Sequence, residues 1–147
     1  MFNRLETIAK NLSERIVAAN SIQLKEASIV ACKLAIQATC LDFAIILESL
    51  EQIQQEGSLT KERVAELNDL VALLDDKYFD IQEKAGDNQD LQTEALCFFR
   101  QARAVSALSF VCEEDPITAA NECIYEAAMA FDDRSEFFSV IEDIISK

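Results

Sequence analysis

The sequence predicts an all-α protein: a single-domain antiparallel bundle of about six helices, with a buried central helix at about residues 91–112. Three observations carry this reading. Two glycines and one proline in 147 residues leave too few turn residues for a sheet or for long loops. Half of the residues are apolar, and they recur at three- and four-residue spacing. A chain of this length can bury roughly 70% of its unfolded surface, so one core suffices without a disulfide or metal staple.

The elements follow in order. Over 3–19, Leu5, Ile8, Ala9, Leu12, Ile16 and Val17 share one face, and Asn3 with Glu6 reads as a capping box. Asn20-Ser21 breaks the chain. A long helical stretch, with room for a split, then runs over about 23–56 and stops at Gly57. Thr60 caps a helix whose stripe is Val64, Leu67, Leu70, Val71 and Leu74 and which runs towards Gly86.

Asp90 opens the next helix, to about Cys112. Its Leu96, Phe98, Phe99, Ala102, Val105, Leu108, Phe110 and Val111 occupy most of the circumference, the mark of a buried element. Asp115-Pro116 is an acidic N-cap followed by proline at the first helical position, and that helix runs to about Phe131. Asp133 and Glu136 read as a capping box for the last helix. Connections of two to five residues imply antiparallel neighbours.

Charge is the strongest functional lead. There are 27 acids against 13 bases and no histidine, a net charge of −14. Residues 1–47 carry four acids and five bases, residues 48–105 carry 13 and six, and residues 106–147 carry ten and two. The front third is therefore nearly neutral and the rest strongly anionic. Such a field disfavours phosphate backbones and anionic membranes, so neither a nucleic-acid nor a membrane partner is expected, and it favours a basic protein.

The polar start MFNRLETIAKNLSER has no apolar h-region, and the apolar run around Ala35–Leu47 is broken by Gln37, Thr39 and Asp42. Five cysteines, odd in number and without CxxC spacing, suit small core residues of a reducing cytosol, so a cytoplasmic location is expected.

The absence of histidine removes Ser-His and Cys-His nucleophile pairs and histidine-ligated metals. Phosphate-binding glycine loops are absent too, and no cofactor is expected. Glu48-x-x-Glu51 followed by Glu66-x-x-Asp69 resembles the ExxE…ExxD magnesium site of MazG-type nucleotide pyrophosphohydrolases, which the resemblance makes an alternative function. The helical phases oppose it: Glu48 lies nearly opposite its helix's apolar stripe and Asp69 points away from the next one. Solvated helix faces are the simpler reading.

Arg100 and Arg103, in FFRQAR, are the only bases between Lys84 and Arg134. Arg103 shares a side with Phe99 and Phe110, so the pair reads either as a buried ion pair with a neighbouring helix or as an anion site.

In the acidic last third, Glu113, Glu114 and Asp115 sit at a helix corner and Asp132 and Asp133 at the next loop. Glu122 and Glu126 stand at i, i+4 on a face expected to be exposed, beside Tyr125. Like charges at that spacing repel by a few tenths of a kcal/mol, so a chain that keeps them is expected to use their field to capture a basic protein.

The segment ARAVSALSFVCEEDPITAANECIYEAAMAF, residues 102–131, resembles the helix–turn–helix of small all-α immunity proteins of bacterial polymorphic and contact-dependent toxin systems. The resemblance covers about a fifth of the chain. It implies a cytosolic protein that binds and neutralises a cognate toxin, and it transfers no individual residue. The expected function is therefore an acidic protein-binding module and not an enzyme, with Glu113, Glu114, Asp115, Glu122, Tyr125, Glu126, Asp132 and Asp133 as contacts. A small helical adaptor or scaffold, with an exposed apolar patch as its sign, is the further alternative.

Overall fold

A computed structural model describes residues 3–146. It contains a 3₁₀ turn at Arg4–Thr7 and seven α-helices: α1 (Lys10–Ala18), α2 (Ser21–Ala38), α3 (Ala44–Glu56), α4 (Lys61–Ala85), α5 (Gln89–Phe110), α6 (Pro116–Ala128) and α7 (Ser135–Ile145). The described residues form no strand, and the all-α bundle read from the sequence is the observed class.

Two expected helices are divided. The first breaks after Thr7, whose hydroxyl donates to the Arg4 carbonyl at 2.6 Å and so competes with helical bonding. Asn3 does cap as expected, accepting from the Glu6 N–H, but it caps only the 3₁₀ turn. The second divides between α2 and α3. Cys40 adopts φ 55°, its N–H bonds the Gln37 carbonyl, and the Leu41 N–H bonds the Ile36 carbonyl. That is a Schellman ending with cysteine where glycine is usual. Buried Ile36 and Leu41 supply the apolar contact that accompanies it.

Other boundaries shift by a few residues. Asn88, not Asp90, caps α5, accepting from the N–H groups of Asp90 and Leu91. Asp115 caps α6 as expected, with Pro116 in its first turn, but α6 ends at Ala128. The Asp133–Glu136 box does not form: Arg134 is the N-cap and its side chain makes no capping bond, while the Asp133 carboxylate accepts from the Ser135 N–H, the first of α7. The Arg134 guanidinium instead closes the end of α6, donating from Nε to the Ala128 carbonyl.

The core lies among α2, α6 and the C-terminal half of α5. Ala27, Ala31 and Ala35 on α2 meet Ala120, Ala127 and Ala128 on α6, and Ala102, Ala104 and Ala107 complete the set from α5. Small side chains let these helices approach closely. Cys32 and Cys123, both fully buried, touch across α2 and α6 with sulfurs 3.4 Å apart. Burial, reinforced by Cys123, pushes the Cys32 thiol well above its ordinary pKa.

The expectation of a central helix over 91–112 is corrected in part: burial on α5 is concentrated at residues 102–108, whereas Leu96 and Cys97 are exposed. The helix buried most nearly all round is α6. The first half of α5 serves α4 instead. Val64, Leu67, Val71, Leu74, Tyr78, Ile81 and Ala85 repeat at alternating three- and four-residue steps along α4, the pattern of a two-helix seam. Among the described residues α4 packs extensively on α5 alone, and an ion pair from Arg63 to Glu48 ties its start to α3. At 25 residues it is about 37 Å long, so the α4–α5 hairpin is an arm with one supported side.

Candidate functional site

The acids divide into those clamped by arginine and those left free. The clamped group centres on Glu126, which is 4% exposed. Its carboxylate accepts from Arg4 of the 3₁₀ turn at 3.3 Å, from Arg103 of α5 at 3.4 Å and from the Ser106 hydroxyl at 3.2 Å. Nη2 of Arg103 also donates to both carboxylate oxygens of Asp75 on α4, at 2.9 and 3.1 Å. Arg4 pairs in addition with Glu122 and lies 4.4 Å above the Tyr125 ring. Partial burial pulls the Arg4 pKa down, but the hydrogen bond to Glu122 and the charge of Glu126 raise it further, so its net shift is upward. One network thus ties the N-terminal turn, α4, α5 and α6 together.

This corrects the expected exposed face of α6. Glu122 and Glu126 do share a side at i, i+4, but that side faces two arginines, which relieve the repulsion the spacing implies. Tyr125 is half-buried beneath Arg4. Arg100 and Arg103 do not converge on one anion site. Arg103 is an internal ion-pair residue, whereas Arg100 reaches Asp132 at 3.5 Å, and Asp132 is 94% exposed.

The four carboxylates of the magnesium pattern do not assemble. Glu48 pairs with Arg63 at 3.0 Å, Glu66 approaches the same guanidinium at 3.9 Å, and Glu51 and Asp69 are exposed. The Arg63 guanidinium thus bridges Glu48 of α3 and Glu66 of α4. No group of three cysteine or acidic side chains among the described residues could hold a metal ion. No described helix is long and apolar enough to cross a membrane.

The free acids lie elsewhere. Glu113 and Glu114 are exposed at the α5–α6 corner, where they rim a cleft of about 230 Å³ with Lys25 and Pro116. Asp115 is exposed beside them but engaged in capping: hydrogen bonds from the Thr118 hydroxyl and N–H hold its pKa below the usual range. Asp133 is lowered in the same way by the Ser135 N–H. The two acidic turns lie at opposite ends of the 13-residue α6, about 20 Å apart, so they do not make one patch.

The largest free group escaped the sequence reading. Between Asp75 and Leu96, the end of the α4–α5 arm, seven acids stand against two lysines. Asp75 is taken by Arg103; Asp76, Asp80, Glu83, Asp87, Asp90 and Glu94 are exposed and form no ion pair among the described residues. Phe79, 63% exposed, stands among them, with Asp76 at i−3 and Glu83 at i+4. Its ring meets Tyr78 at 5.1 Å, and Tyr78 meets Phe99 at 5.4 Å. The available signal was Phe79 itself, an aromatic residue off the Val64–Leu74 stripe.

Compared with protein-family models, curated proteins and solved structures, the chain matches none.

Proposed function

We propose that this chain is a protein-binding module that engages a basic protein partner through its free carboxylates. The partner class suggested by the residue 102–131 resemblance is a bacterial toxin domain, which the chain would neutralise by binding in the cytosol. The observation that carries the reading is the acidic, aromatic-bearing α4–α5 arm, whose outer side no other helix covers. Carboxylates around an exposed ring suit lysine and arginine: charge steers the encounter, and the ring takes the cation or its aliphatic stem. Glu113 and Glu114 add a second acidic contact at the far end of α5. Glu122, Tyr125 and Glu126 support the scaffold instead of touching the partner.

The test is binding to the polypeptide encoded beside this chain, titrated at rising salt. Combined Asp76→Lys and Glu83→Lys should weaken binding at least tenfold, and so should salt raised from 0.05 to about 0.5 M, which shortens the screening length from about 14 to 4 Å. Binding indifferent to both changes would overturn the electrostatic reading.

A further inference from the structure

The outer face of α2 carries a pattern of a different kind. Ile22 is 79% exposed, and exposed Glu26, Lys33 and Gln37 follow it at helical spacing; Ile29 and Val30 lie between them, partly buried against the core with part of each side chain still open. Ile22, Ile29 and Val30, with Ile53 of α3, line an open groove of about 580 Å³. Glu26 and Lys33 are both exposed, and neither forms an ion pair among the described residues.

The order of these residues is self-complementary. If a second α2 is laid antiparallel with its centre between Ile29 and Val30, Glu26 falls opposite Lys33 of the other copy and Lys33 opposite its Glu26. Ile29 falls opposite Val30, and Ile22 opposite Gln37. A two-fold interface requires this reciprocity. The location also suits self-association. A chain of net charge −14 repels its copies, and residues 1–47, with four acids and five bases, are where that repulsion is least.

We propose that the α2 face is a homodimer interface, occupied by α2 of a second copy in antiparallel register with two symmetric Glu26–Lys33 pairs. This does not rest on the acidic-arm reading, since the two surfaces share no residue.

Sedimentation equilibrium of the full chain and of three variants tests it. Wild type should dimerise. Glu26→Lys alone, or Lys33→Glu alone, turns two attractive pairs into two repulsive ones and should weaken association about tenfold. The double variant Glu26→Lys/Lys33→Glu restores opposite charges and should return to within about threefold of wild type. Both positions are exposed, so folding is not at stake, and circular dichroism checks it. A wild-type monomer at about 1 mM overturns the proposal. A dimer insensitive to the single changes, or one that the double change fails to rescue, overturns it equally.

Discussion

Replacing Glu126 by alanine distinguishes a structural hub from a surface contact. In the folded chain this carboxylate receives two guanidinium groups and one hydroxyl at 5% side-chain exposure. Its removal leaves Arg103, 18% exposed, with Asp75 as its one remaining acid and with a buried Nε that has no partner. Stripping one member from a buried ion pair costs about 3–5 kcal/mol. The lower end applies here, because Arg103 keeps its Nη2 contacts to both oxygens of Asp75 and the more exposed Arg4 keeps Glu122. Unfolding entropy of about 2.1 cal/mol/K per residue over 147 residues is about 0.3 kcal/mol/K, so 3 kcal/mol lowers Tm by about 10 °C. Glu113→Ala, at an exposed corner, should cost under about 0.5 kcal/mol, or about 2 °C. Thermal unfolding followed by circular dichroism reads both. If Glu126→Ala melts within about 2 °C of wild type, level with Glu113→Ala, the network is not holding α4, α5, α6 and the N-terminal turn together.

Three further outcomes follow. Cys40→Gly should raise stability by about 0.5–1 kcal/mol in urea unfolding, because glycine relieves the left-handed backbone that Cys40 now adopts; a loss of stability would contradict the Schellman ending. Asp115 has a lowered pKa in the folded state, so the stability it confers is fully present above the unfolded aspartate value near 3.9 and is lost as pH falls through the folded value. Asp115→Ser keeps a cap but cannot titrate, and should flatten the decline in Tm below about pH 4; an unchanged decline counts against this role. In the native chain, a thiol reagent should modify exposed Cys40 and Cys97 first, with Cys32 and Cys123 protected until unfolding; early labelling of Cys123 would be incompatible with the α2–α6 packing.

The fold was legible because helical periodicity and strong stops coincide at most boundaries. Gly57, Gly86 and Asp115-Pro116 each stand where a helix ends or begins. The α2–α3 split was allowed for, but its position was not readable, because its left-handed residue is a cysteine, and cysteine carries no turn signal. The site was harder. Glu122, Tyr125 and Glu126 form a polar face on an alanine-rich helix, and periodicity alone assigns such a face to solvent. What turns it inward is Arg4, 118 residues away in sequence from Glu122, together with Arg103. Arg103, readable from the sequence either as an ion-pair residue or as part of an anion site, pairs with Asp75 and with Glu126, a residue the sequence assigned to the surface. The acidic arm was missed because its charge was counted with the whole of residues 48–105, whereas the α4–α5 pairing concentrates it at one end.

The central claim is that clamped acids build the scaffold while free acids meet the partner. Carboxylate footprinting by carbodiimide coupling and mass spectrometry, with and without the polypeptide encoded beside this chain, tests it most directly. In the free protein Glu126 should stay unmodified while Asp76, Asp80, Glu83, Glu113 and Glu114 label fully, and in the complex the three arm residues should become protected. Labelling of Glu126 in the free protein, or an arm that labels equally in both states, would contradict the account.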